Sequence, residues 1–344
     1  MTVPNRLPRT LQEMPPTAAH FCLDVERFLR EEPGLDLSGS TIVCAYSGGV
    51  DSAVLLTVLN ALAPRLGCTV HAAHLDHGLR PESAAEAKHA LAFCTALGVP
   101  GTARRVDVGA RCPNGTGIEE AARKARYNFL TSVQAETGAR FIAMGHHLND
   151  LAEDVLMRLT RGSGWPQLGG MRCFDPERGL IRPLLMTPRA DIEALARELS
   201  LPWVEDASNQ DPAYQRNRMR HSLLPLFLKE NPNFLQSVAS LWRSSRQDRE
   251  FFDAEVQKQL KTLADPTFLP RPHLTELPAA LRLRLYKACL EALGPGQPLA
   301  DSLNRLETAF TSGEGGKTIQ FPGNKQAKVN ARGIDFSIEP NAEG

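Results

Sequence analysis

Between residues 40 and 200, short apolar runs alternate with longer stretches of helical periodicity. The runs are 41–46 (TIVCAY), 69–75 (TVHAAHL), 102–108 (TARRVDV) and 140–145 (RFIAMG). The first and last are nearly unbroken in apolar residues, the pattern of strands buried on both faces. Between them, residues 50–66, 82–97 and 118–137 carry the length and spacing of helices. Such alternation predicts an α/β fold, a doubly wound parallel sheet with right-handed crossovers. Ligands of these sheets bind at the carboxyl ends of the strands, so the strand-to-helix loops become the place to look for chemistry. After Pro202 the alternation stops, and 215–229, 233–263, 279–293 and 299–311 read as helices, with a possible hairpin in 313–338. The expected organisation is a leader and first helix over 1–39, an α/β domain over 40–201 and a smaller, mainly helical domain over 202–344.

A length of 344 residues suits about two domains, and 42% apolar with 23% charged residues excludes a disordered chain. No run approaches the ~18 apolar residues of a spanning helix. The first twenty residues are polar, hold four prolines and read as a loose leader. Seven cysteines without a CxxC pair exclude a zinc ribbon or cluster-binding motif and favour a reducing cytosol. The 39 basic residues equal the 39 acidic ones, so nucleic-acid binding has to rest on where the charges sit.

The strongest chemical signal is Ser47, Gly48, Gly49, Val50, Asp51 and Ser52, set between a buried strand and a helix. Two glycines let the backbone turn sharply against an anion, and the helix start offers free N–H groups and a positive dipole end. The serines add hydroxyl donors, and Asp51 suits a magnesium ion beside phosphates. Helix capping alone also explains Asp and Ser at such a position. Neither a Walker A lysine nor GxGxxG is present.

Three further segments end strands or open helices. At 74–80 (HLDHGLR) two histidines flank an aspartate without a third metal ligand at useful spacing, which leaves loop shaping or ligand contact. In the helix 118–130, Arg123 and Arg126 share a face, suited to surface salt bridges with Glu119 and Glu120 or to phosphates. At 145–154 (GHHLNDLAED), His147, Asp150, Glu153 and Asp154 fall at spacings of three and four. Acids favour any first helical turn, yet these lie where they could hold a cation or take its proton.

The 47–52 loop matches the signature of the PP-loop ATP pyrophosphatases. Together with HLDHGLRPES (74–83), EEAARKARYNFL (119–130), GHHLNDLAEDVLMRLTRGSG (145–164), IRPLL (181–185) and WVEDASNQDPAYQRNRMRHSLLP (203–225), the chain resembles the tRNA(Ile)-lysidine synthases, in a short form. The resemblance implies an ATP-dependent ligase that adenylates C2 of the wobble cytidine in an isoleucine tRNA with a CAU anticodon. Free L-lysine then displaces AMP. It further implies ATP contacts from residues 47–52, His74, Arg123 and Arg126, and Mg2+ at Asp51. The lysine ammonium falls to Asp150 and Glu153, and tRNA contacts fall to Arg216, Asn217 and Arg220. A homodimer is compatible with it. The chain departs from the family pattern at Leu151, where Gln is usual, and at Asp154, where Thr is usual.

Local charge agrees with an RNA partner: 216–249 holds seven basic residues and two acids, and 313–332 four basic residues and one acid. Trp165 and Trp203 are candidates for stacking a splayed base, although packing explains each as well. The competing readings are another PP-loop ligase acting on tRNA or a free nucleotide, and a nucleotide-binding module without catalysis.

Overall fold

The computed structural model describes residues 6–76, 83–106, 118–204, 215–263, 265–313 and 315–339. These group into two compact units, residues 1–162 with 170–242, and residues 163–169 with 243–344.

In the first unit, α1 (Pro16–Arg30) precedes β1 (Thr41–Ala45), α2 (Val50–Leu66), β2 (Thr69–Asp76), α3 (Ser83–Leu97) and β3 (Gly101–Arg105). Then come α4 (Ile118–Thr137), β4 (Phe141–Ala143), α5 (Leu148–Thr160), β5 (Phe174–Asp175), β6 (Leu180–Ile181) and α6 (Arg189–Glu198). The six strands run in the order β3-β2-β1-β4-β6-β5, parallel throughout except for β5 against β6. Alternate residues of β1 explain its unbroken apolar run. Ile42 and Cys44 enter the core shared with α1, α2, α3 and α6, while Val43 enters a second core with Phe129, Leu130 and Val133 of α4. The sheet is thus covered on both faces, as the pattern predicts.

The expected loose leader is corrected over its described part. Leu7 and Met14 are buried in the main core, and the Arg9 guanidinium donates to the carbonyls of Thr95 and Ala96 at the end of α3. Residues 215–230 form α7 (Gln215–Arg218), a π-helical turn (Met219–Leu223) and α8 (Leu224–Glu230), followed by α9 (Phe234–Thr262). α8 and the first part of α9 bury Leu224, Val238, Ala239 and Trp242 against Leu148, Leu151 and Val155 of α5.

The second unit adds a four-stranded antiparallel sheet to its helices, where the sequence suggested only a hairpin. Its elements are β7 (Phe268–Pro270), α10 (Arg271–Glu276), α11 (Ala279–Ala292), α12 (Ala300–Thr311), β8 (Thr318–Phe321), β9 (Lys325–Val329) and β10 (Gly333–Ile338), with strand order β7-β10-β9-β8. Lys325, counted above toward an RNA-facing surplus, is fully buried. Its ammonium donates to the carbonyls of Leu290 (2.9 Å), Gly294 (3.0 Å) and Gly296 beyond the last turn of α11. It therefore caps a helix end and is not available to phosphates. Lys325→Met should cost the second unit about 2–4 kcal/mol by leaving those carbonyls without a donor. Hydrogen exchange should quicken across α11 and β9 while β1 and β4 keep their protection.

Candidate active site

The loop at 47–52 forms where β1 hands over to α2. Gly48 has φ +90°, a left-handed conformation open to glycine, and its carbonyl accepts the N–H of Val204 (2.9 Å). The Ser52 hydroxyl closes the loop, accepting the Ser47 N–H (3.1 Å) and donating to Gly49 O (2.8 Å), with Ser47 Oγ 3.1 Å away. No side chain caps α2, so its first-turn N–H groups remain open to an anion. Gly48→Ala should strain the loop by about 1 kcal/mol or more and weaken ATP binding several-fold. Nucleotide titration checks this, with a thermal midpoint near wild type.

The turn after β4 approaches this loop closely. A Cβ at Gly145 would lie 3.3 Å from Asp51 O, so only glycine fits without displacement. His147 caps α5 in a reciprocal box. Its Nδ1 accepts the Asp150 N–H (3.3 Å), and Asp150 Oδ2 accepts the His147 N–H (3.1 Å). His147 Nε2 stands 3.7 Å from Asp51 Oδ1 and 3.5 Å from Asp150 Oδ2, which joins the phosphate-type loop to the acidic segment. Burial raises the Asp51 carboxyl above its ordinary range, against the lowering influence of His147 and Arg189. His146, whose Nδ1 is buried without a hydrogen bond, is pushed down to about 3 by burial and stays neutral.

Asp150 and the fully buried Glu153 meet two guanidiniums. Arg216 donates through Nη2 to Asp150 Oδ1 (2.9 Å) and through Nε to Glu153 Oε2 (2.9 Å). Arg220 donates through Nη2 to Asp150 Oδ1 (2.9 Å) and through Nε to Glu153 Oε1 (2.6 Å). Burial alone would push the Asp150 carboxyl up, but His147, Arg216 and Arg220 outweigh it and hold the group well below the usual carboxylate range. Asp150, the first-turn acid, therefore has a role beyond the helix start: with Glu153, Arg216 and Arg220 it forms a four-membered charge cluster at the carboxyl end of β4.

The structure brings residues 47–52, Asp150, Glu153, Arg216 and Arg220 to one end of the sheet. Asn217 lies half-buried on the same short helix as Arg216. Rather than lying free for phosphates, Arg216 and Arg220 are engaged by carboxylates. His74 is buried beside the loop, its Nδ1 2.9 Å from Tyr46 O. Arg126 is near enough to His146 to influence it, whereas Arg123 stacks over Tyr127 (5.3 Å) and lines a groove with Glu177, Arg178 and Leu180. Leu151 is buried in the α5–α9 core, and Asp154 is paired with Arg158 (2.9 Å). Trp203 packs against the main core, and the Trp165 indole donates to Asp248. Residues 77–82 and 205–214 of the quoted segments, and the side chain of Glu119, lie outside the described residues.

Two site residues escaped the sequence reading. His147 was noted only for its spacing, and Arg189, four residues past the IRPLL run, was not noted at all. Arg189 Nη1 lies 3.9 Å from Asp51 Oδ2. The only available signal was its place at the first position of a helix after Pro188.

Asp51 suits a hard cation: its buried Oδ1 has no hydrogen-bond partner. Among the described residues no group of three His, Cys, Asp or Glu side chains could hold a metal ion. The described cysteines are all buried and none is in a disulfide, with Cys22 and Cys289 pushed up to about 12 and Cys68 and Cys94 to about 11 by burial, which makes those four poor nucleophiles. No helix among the described residues is long and apolar enough to cross a membrane.

Fold and loop define an ATP-utilising PP-loop protein, and residues 19–227 match the PP-loop domain family. In fold, the chain is similar to the U34-tRNA thiolase NcsA from Methanococcus maripaludis, solved with its iron–sulfur cluster (TM-score 0.54, 20% identity, 68% of this chain and 80% of that one). In sequence it is 43% identical over 333 residues to a tRNA(Ile)-lysidine synthase from Nitratidesulfovibrio vulgaris, covering 91% of this chain and 96% of that one. It is 36% identical over 278 residues to the namesake from Azoarcus sp., covering 78% of this chain and 60% of that longer relative. The chain belongs to the tRNA(Ile)-lysidine synthase family.

Proposed function

We propose that this chain attaches free L-lysine to C2 of the wobble cytidine in an isoleucine tRNA with a CAU anticodon, using ATP in the cytoplasm. The observation that carries the reading is His147, which stands within 4 Å of both Asp51 in the phosphate-type loop and Asp150 in the acidic pair. This adjacency supports placing a polyphosphate beside a cationic amine. In the first step the cytidine C2 oxygen attacks the α-phosphorus, and the electrons of the α–β bridge leave on pyrophosphate. In the second, the lysine Nε attacks C2, AMP departs with the oxygen, and the amine gives up a proton.

The open amides of α2, with Ser47 and Ser52, would bind the β- and γ-phosphates. Asp51 would hold Mg2+, whose charge offsets that of the phosphates. His74, Arg123 and Arg126 complete the proposed nucleotide contacts, of which Arg126 is supported by its nearness to His146. Asp150 and Glu153 would take the lysine ammonium, a role in keeping with their present grip on two guanidiniums. Lysine then shares or displaces one of those partners. Arg216, Asn217 and Arg220 remain the proposed link to tRNA, since a phosphate competing for either arginine would also free an acid. The buried cysteines favour ligation over thiolation.

The test is nucleoside mass analysis of the isoleucine tRNA after incubation with protein, ATP, Mg2+ and isotope-labelled lysine. A labelled lysidine product, with pyrophosphate release dependent on tRNA, is expected. Unmodified cytidine under those conditions rejects the reading.

A further inference from the structure

Arg189 is held in a way that a surface salt bridge does not require. Its backbone N–H donates to Asn149 Oδ1 (3.0 Å), while the Leu148 N–H donates to Thr187 O (2.9 Å), so the starts of α5 and α6 are tied together. Gly145 sets the same turn against the start of α2. Three helix N-termini, from helices of 17, 13 and 10 residues, therefore converge around Asp51.

Among the described residues the guanidinium is held along one edge. Its Nε donates to Glu193 Oε1 (3.0 Å), and Glu193 Oε2 is in turn held by Arg197 (3.0 Å). The other edge stops 3.9 Å short of Asp51 Oδ2, beyond hydrogen-bond reach, on a side chain 38% exposed. Asp51 Oδ1 is without a hydrogen bond as well. Arg189 thus sets a positive charge beside Asp51 Oδ2 without hydrogen-bonding it, anchored through Nε by Glu193.

We infer that Arg189 is a phosphate-contacting residue that binds the leaving pyrophosphate. The inference rests on the ATP reading above. As the α–β bridge breaks and its electron pair settles on the β-phosphate oxygen, the free Nη groups donate hydrogen bonds to the non-bridging oxygens of pyrophosphate. No proton changes hands, and the guanidinium stays charged throughout.

The experiment is calorimetric titration of the full-length chain with inorganic pyrophosphate and, separately, with AMP, for wild type, Arg189→Gln and Arg189→Lys. Loss of charge-assisted bonds should weaken pyrophosphate binding by at least about tenfold in Arg189→Gln while AMP binding stays within about twofold. Arg189→Lys should recover part of the loss, since it restores charge without the planar fork. Pyrophosphate affinity equal in wild type and Arg189→Gln overturns the inference and leaves the ATP reading standing. Equal weakening of both ligands also overturns it, assigning Arg189 to the shape of the site alone. Failure of wild type to bind either ligand would defeat the ATP reading, and this inference with it.

Discussion

Asp51→Asn should reduce pyrophosphate release from ATP by about 10²–10³-fold, the usual effect of removing one charge that serves phosphate chemistry directly. The side chain keeps its size, so the loop closed by Ser47 and Ser52 has no reason to rearrange. What disappears is the anionic oxygen that suits a hard cation. Stability should move the other way. Because burial raises the Asp51 carboxyl above its unfolded value, the charged form is disfavoured in the fold at neutral pH, and a neutral amide removes that cost. The weakened approach of His147 and Arg189 offsets part of the gain, so the thermal midpoint should stay level or rise slightly. A variant with near-wild-type pyrophosphate release would remove Asp51 from the reaction. A variant that is inactive and unfolded would contradict the stability argument instead.

How much of this was legible beforehand depended on how local each feature is. The helices at 50–66 and 118–137 were read with the bounds of α2 and α4, because a long periodic stretch carries many agreeing positions. β1 and the 47–52 loop were equally plain, since an unbroken apolar run meeting two glycines leaves few alternatives. β5 and β6, two residues each, are too short to leave a pattern. Of the second sheet only a hairpin within 313–338 was legible, and β7 was not, because it pairs with β10 from more than sixty residues earlier in the chain. The same distance argument applies to the site. Asp150 and Glu153 could be placed together by helical spacing, but nothing in spacing joins them to Arg216 and Arg220 across 63 to 70 residues. The charge count treated those arginines and Lys325 as surface cations, yet Lys325 is buried and the two half-buried arginines are paired with Asp150 and Glu153. Composition counts charges without knowing which are already paired.

Glu153→Ala should destabilise the first unit by about 3–5 kcal/mol, the range found when one member of a buried ion pair is deleted. Glu153 is fully buried and accepts from both Arg216 and Arg220, so its removal leaves two guanidiniums competing for Asp150 Oδ1. Arg220→Ala should cost less, because Arg216 still serves both carboxylates. The two changes together should cost less than their sum, since the double variant no longer leaves Arg220 short of a partner. Asp150 adds a pH signature. Its folded-state carboxyl lies below the unfolded value of about 3.9, so its contribution is present above that pH and is lost as pH falls toward the folded value. Wild type should therefore lose stability below about pH 4, and Asp150→Asn should show a shallower loss over the same interval. Urea unfolding at pH 7 and between pH 5 and 2.5 reads both effects. A Glu153→Ala loss under about 1 kcal/mol, or strict additivity with Arg220→Ala, would show that the four charges do not act as one unit. The acidic pair would then be open to a substrate amine without first giving up an internal partner.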